Sequence, residues 1–321
     1  MRIARLIIYE AISSFVVLLI VSLVVFLCSR ALGDPLAQLV QDPFVDPSTI
    51  EELRKLFGLD KPLPIQFAMY MLNLFRGELG YSTLFNKPVS SLIAERLPYT
   101  LLLLVPSVTA SNMIAYRLGL EAGWRRGSAL DRVLTMLFVV ARSIPYIVMA
   151  IAILILFAYA GFPTYGAWTP GEEKDLAGRA IDILVHYIPP FTALTLKTGL
   201  GYGLYVRQLV VSTRSKDFVF VAEAMGIPPK VVKHRYVARY ALPSIIAVLG
   251  LRYAFVVEGA VITETIFSYP GMGTLLVEAI RSCDVWLIQG VATVLTLCVI
   301  ATVVIVDVVQ RILDPRIGGS R

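Results

Sequence analysis

The chain has 321 residues, of which 57% are hydrophobic and 16% charged, with a net charge of +6 and a mean hydropathy of +0.74. A soluble domain is nearer half apolar and a quarter charged, so lipid is the solvent for most of this chain. The basic residues cluster beside apolar runs, as they do in loops on the inner side of a membrane, which argues against a nucleic-acid partner.

Arg2 and Arg5 precede an apolar run from Leu6 to Cys28. That run is too long for the core of an ordinary signal peptide, and about twenty residues at ~1.5 Å each cross the hydrocarbon, so it reads as an uncleaved first span. Residues 31–97 are polar and proline-marked, too long for a simple loop. Within them Glu51–Phe57 predicts a short helix ending at Gly58, Pro62 and Pro64 predict extended chain, and Gln66–Leu74 predicts a second helix. The region reads equally as an outward-facing cap that docks a partner or as a lid that only packs on the spans. A second span is expected over 97–116. The loop after it carries Arg117, Arg125, Arg126 and Arg132 against Glu121 and Asp131, which places it inside. The third span, 133–160, contains Arg142-Ser143-Ile144-Pro145. Its outward loop, 161–185, holds Glu172, Glu173, Asp175 and Asp182. The fourth span, 187–211, carries Lys197; the fifth and sixth follow at 243–267 and 286–309. Six spans put both termini on the inner side, and every basic-rich short loop falls on that side.

The stretch Asp217–Pro243 is polar and basic, yet lies between two apolar segments. Phe218, Val221, Ala222 and Met225 recur at helical spacing on one face. Gly226 then stops the helix, since glycine tolerates the left-handed conformation of a helix end. Pro228-Pro229 start a second helix bearing Lys230, Lys233, His234, Arg235 and Arg239. An amphipathic helix lying on the membrane surface would also explain the pattern.

This stretch resembles the cytoplasmic loop of permease subunits of binding-protein-dependent ABC importers of the dipeptide/oligopeptide variety. Asp217, Phe218, Val219, Ala222, Ala224 and Gly226 fall on the family pattern, and Pro243 closes it one residue early. Phe220, Glu223 and Met225 stand where that pattern is basic. Further similarities run in order along the chain. They are Gly33-Asp34-Pro35, LRKLFGLDKPLPIQF from Leu53, RGELGYSTLFNKPVSSLIAERLPYTLLL from Arg76, TETIFSYPGMG from Thr263, DVWLIQG from Asp284, and a family-like tail, LDPRIGG. Trp286 replaces a proline of the pattern.

The resemblance implies an all-α polytopic membrane protein of six transmembrane helices with the type I ABC importer permease fold and an extracytoplasmic insertion after the first helix. Its divisions are a first helix (1–30), an outer cap (31–97), a five-helix core (98–315) with a coupling loop (212–243), and a cytoplasmic tail (316–321). It also implies a place in the cell membrane beside lipid and four kinds of association. These are a second, similar permease forming a heterodimer, two ATPase subunits carrying ATP and Mg, an extracytoplasmic substrate-binding protein, and substrates such as peptides or oligosaccharides. No cofactor is expected in this chain. Asp217, Phe218, Val221, Ala222, Ala224, Met225 and Gly226 would form the helix that couples to an ATPase.

Ionisable residues inside spans cost several kcal/mol on insertion scales and usually face a cavity or a partner, so they are candidates for a translocation path. They are Arg142, Lys197, Arg252, Glu258, Glu264 and Asp307; the first five, with Tyr202, are the path candidates, and bonding to neighbouring helices is the competing reading. Arg252 and Glu258, six apart, are not expected to pair. Cys28, Cys283 and Cys298 lack metal-ligand spacing, and His186 and His234 lie far apart. No phosphate-binding glycine loop, nucleophile elbow or His-Glu-x-x-His occurs, so the expectation is a transport subunit without enzymatic activity. A stand-alone secondary transporter or channel is the alternative; it would show matched broken helices in two halves and leave Asp217–Pro243 without a purpose.

Overall fold

The computed structural model describes residues 2–36, 40, 46–171, 175–250 and 252–313, and the side chains among them except those of 2–11, 252–258 and 309–313. Helices dominate. They are α1 (Arg2–Ala31), α2 (Pro47–Leu56), α3 (Leu63–Arg76), α4 (Val89–Trp124), α5 (Ala129–Ser143), α6 (Tyr146–Tyr159), α7 (Leu176–Arg214), α8 (Asp217–Ala224), α9 (Pro229–Val231), α10 (Arg239–Gly250), α11 (Arg252–Ile266), α12 (Met272–Arg281) and α13 (Val285–Leu313). A two-stranded antiparallel hairpin, β1 (Tyr81–Ser82) and β2 (Lys87–Pro88), precedes α4. Among the described residues, Ile12–Ala31, Val89–Trp124 and Val285–Val308 are each long and apolar enough to cross a membrane, and α5 with α6 would make a fourth. The tail 316–321 lies outside the described residues.

The chain forms two compact units. In the first, residues 1–100 and 270–300, α2 and α3 start and stop at local signals. Asp46 accepts from Ser48 N at 3.2 Å to start α2, and Gly58, at φ 64°, follows its end. Pro64 sits in the first turn of α3 rather than in extended chain, because that turn's N–H groups have no helical acceptor for proline to forfeit. Phe26 of α1 packs 5.5 Å from Phe67 and 6.1 Å from Tyr70 of α3, measured between ring centroids. The Tyr70 hydroxyl lies 2.5 Å from Thr293 Oγ1 of α13. Asp284 is the knot of this unit: its carboxylate caps α13 through Leu287 N and accepts from Ser82 Oγ at 2.6 Å and Leu84 N at 3.2 Å, fixing the hairpin.

The second unit, residues 101–269 and 301–321, is built on close helix approaches. A Cβ on Gly119 of α4 would come within 2.6 Å of Val206 of α7, and one on Gly203 of α7 within 2.4 Å of Phe138 of α5. Small residues four apart (Gly119 and Gly123; Gly199 and Gly203) let backbones approach where lipid offers no hydrophobic drive. The third expected span is corrected here: it is two helices bent by 107°. Pro145 cannot accept the α-region in the residue before it, and Ile144 is extended at φ −74°, ψ 127°. The expected fifth span also begins earlier, since Pro243 lies inside α10; Leu251 is outside the described residues.

Candidate functional site

Asp217–Ala224 folds into a helix of two turns. Lys216 enters it in extended conformation, and Asp217 in the first turn complements the positive helix end. Gly226, at φ 75°, ends it, with Gly226 N donating to Glu223 O at 3.0 Å and Ile227 N to Ala222 O at 3.2 Å. Pro228 and Pro229 then open α9, which passes into seven residues of π-helix, Val232–Ala238, before α10. Such i→i+5 stretches are rare and cluster at functional positions.

The expected apolar face of α8 divides in two. Val219 and Ala222 are buried in a cluster with Val206, Val210, Val232, Val237 and Ala238. The Phe218 ring leans on Tyr240, 5.0 Å between centroids, and Lys216 Nζ stands 5.0 Å from the same ring. Val221 and Met225 point away, 51% and 74% exposed, joined by Phe220 at 73%. Asp217, Ala224 and Gly226 are exposed too. The physical reason is the helix's second neighbour: the π-helical ramp returns against it and claims Val219 and Ala222. What remains outward is an apolar edge on a helix flanked by polar chain.

Ion pairs clamp the chain around this helix. Asp131, buried at the start of α5, accepts from Arg207 Nε at 2.5 Å and Nη2 at 2.8 Å, and from Gly127 N at 2.8 Å. Glu121 pairs with Arg125 and, across 112 positions of sequence, with Lys233 of the π-helical ramp. The Arg214 guanidinium lies 4.5 Å over the Trp124 ring and donates to the Trp124 carbonyl. Sequence reasoning missed these clamps. Their signal was present, because Glu121 and Asp131 are the two acids in a loop of four arginines.

Three path candidates gather at the α5–α6 bend. Lys197 of α7 donates to the carbonyls of Ala141 and Ile144, and lies 3.4 Å from that of Arg142. These carbonyls are the ones that the Pro145 break leaves without helical donors, and a cation suits the negative end of α5. The Arg142 guanidinium stacks 4.7 Å over Tyr205, whose ring is 5.5 Å from Tyr202. Glu264, on α11, is fully buried. Arg252 and Glu258 lie on α11 as well, but their side chains are outside those described.

Several helices long and apolar enough to cross a membrane, with a short helix held between basic segments, make this a polytopic membrane chain. The family described as "Binding-protein-dependent transport system inner membrane component" matches residues 115–319, and the family of the corresponding N-terminal part matches residues 3–104. The chain belongs to this family of inner-membrane transport components. Among its relatives is a protein of Brucella abortus named for a peptide transport system permease, 33% identical over 305 residues, 94% of this chain and 95% of the relative. A "Probable peptide ABC transporter permease protein" of Sinorhizobium fredii is 28% identical over 95% of this chain and 96% of its own length. A "Glutathione transport system permease protein" of Salmonella choleraesuis is 30% identical, with 94% of each chain covered.

Proposed function

We propose that this chain, a membrane permease subunit of an ABC importer, forms half of a pore for short peptides. The peptide-permease and glutathione-permease names of its relatives support that substrate class; oligosaccharides have no such support. In this reading six spans leave both termini in the cytoplasm, and residues 31–97 face outward toward a substrate-binding protein. A second permease completes the pore, and two ATPase subunits hold the ATP and Mg.

The exposed edge of Phe220, Val221 and Met225 carries the reading. An isolated apolar edge on a helix outside the membrane marks a surface that another protein covers. A short helix held by Val219 and Ala222 moves as a rigid lever, whereas a flexible loop would absorb the displacement of its partner. The clamps Asp131–Arg207 and Glu121–Lys233 would carry that displacement into α5 and α7. The bend at Pro145, with Lys197, Arg142 and Tyr202 beside it, is the candidate element of the path that responds; Arg252, Glu258 and Glu264 on α11 are the remaining path candidates. Site-specific cross-linking from position 220 or 225 tests the docking surface. An adduct with an ATPase subunit supports it, and adducts with lipid alone contradict it.

A further inference from the structure

Three helix faces of the second unit enclose a groove that neither the coupling helix nor the α5–α6 bend uses. Val105 and Met113 of α4, Leu242 and Ile246 of α10, and Ile305 and Val306 of α13 line it, and it holds about 630 Å³. Val105, Met113 and Ile305 are exposed, so the groove is open along one side. Thr109, Asn112, Tyr116 and Thr302 share the lining, and no charged side chain does. Thr109 spends its hydroxyl proton on Val105 O at 2.7 Å. From Val105 to Tyr116, at ~1.5 Å per residue, the groove runs about 16 Å, half of a bilayer's ~30 Å of hydrocarbon. A Cβ on Gly250 would come within 2.5 Å of Val306, so α10 and α13 touch at one end. At the other end the helical register adds a cation to each of two lining faces. Arg117 lies four residues after Met113 on α4, and Arg239 three before Leu242 on α10. Both are exposed, and the described residues provide neither with an ion pair. Glu121, four positions after Arg117, is taken by Arg125 and Lys233.

We propose that this groove binds one acyl chain of an anionic phospholipid whose phosphate is held by Arg117 and Arg239. The walls suit a hydrocarbon tail: at ~30 Å³ for a group the size of water, the space takes about twenty methylenes, one ordinary acyl chain with room to bend. The second chain of the lipid lies in the bilayer through the open side. Guanidinium forks match phosphate oxygens in pairs, and basic pockets between membrane helices suit phospholipid heads. A peptide would bring charged termini against walls that carry no counter-charge. A helix of a second permease is about 10 Å across, and a segment as long as the groove fills ~1,250 Å³, twice this space. Arg239 opens α10 directly after the π-helical ramp, so the lipid head braces the chain that carries the coupling helix. The site goes beyond the importer reading and requires only that the chain spans a membrane.

The test is native mass spectrometry of the purified full-length chain in detergent, titrated with phosphatidylglycerol or with phosphatidylcholine of the same acyl chains. ATPase, binding protein and second permease are left out, so that failure of this site and failure of the importer reading are separable. One phosphatidylglycerol per chain is expected to be retained, and phosphatidylcholine to bind at least about tenfold more weakly. Arg117→Gln combined with Arg239→Gln should abolish that preference while the melting temperature is retained. Glycerol 3-phosphate, a head without chains, should not displace the lipid. Photo-labelling needs no variant: phosphatidylglycerol with a diazirine in its acyl chain should mark the segments that contain Met113, Ile246 and Ile305. Equal binding of the two lipids, displacement by glycerol 3-phosphate, or an unchanged preference in the folded double variant overturns the proposal. So does photo-labelling confined to other helices. In the assembled importer, a photo-cross-linker at position 113 should capture lipid, and capture of a second permease instead also overturns it.

Discussion

Lys197 was chosen from the sequence because a cation within a span needs a reason, and the structure supplies one: it caps the carbonyls freed where Pro145 breaks the helix. Lys197→Ala leaves those carbonyls without a donor. We expect a loss of about 1–3 kcal/mol, read as a lower melting temperature of the detergent-solubilised chain. If Lys197→Ala melts as wild type does, capping is not its role. Asp131 is buried and accepts two hydrogen bonds from Arg207. Asp131→Asn strands that guanidinium opposite a neutral group, and a destabilisation of about 3 kcal/mol is expected, far more than at an exposed pair. Asp131→Asn combined with Arg207→Leu should recover part of the loss; additive losses would show that the two side chains do not act together. Nothing in the hydropathy pattern could have matched Asp131 with Arg207, which lie 76 positions apart.

At the scale of the element, α8 was legible because its signals are local: a start at Asp217, apolar spacing, and Gly226 at a positive φ. The helices α2 and α3 were legible in part: Gly58 marked the end of α2, but Pro64, expected in extended chain, lies in the first turn of α3. The orientation of α8 was not. Which of its apolar residues turn inward depends on the π-helical ramp that packs against it, and that contact is tertiary. The division predicts opposite phenotypes. Val219→Ser should lower the melting temperature by placing an unpaired hydroxyl in the buried cluster. Met225→Ser should leave stability within about 0.5 kcal/mol and act only on partner binding. The same melting temperature for both would refute the inward and outward assignment. The bend between α5 and α6 shows the complementary gap: Pro145 was visible, but the apolar run on both sides gave no sign of a 107° bend between two helices. Gly203 gives a further check, since Gly203→Ala drives a methyl into the Phe138 ring and should cost about 1–3 kcal/mol. An unchanged melt would mean that α5 and α7 can part cheaply.

For the whole molecule, composition and charge asymmetry pointed to the membrane class, and the ordered motifs carried the resemblance to the family, because both survive without tertiary knowledge. The matches to the two family parts bear out the family. What resisted reading was how polar groups are satisfied: ion-pair clamps and capped carbonyls, all set by long-range contacts. The central claim is that the apolar edge of α8 is the surface through which a separate ATPase drives this permease. The most direct measurement is co-purification of the tagged full-length chain with its ATPase subunits after mild detergent extraction, comparing wild type with Phe220→Ser combined with Met225→Ser. The account predicts that wild type brings down the ATPase and that the double variant, equally abundant and equally stable, loses most of it. Equal recovery of ATPase by both would contradict the account.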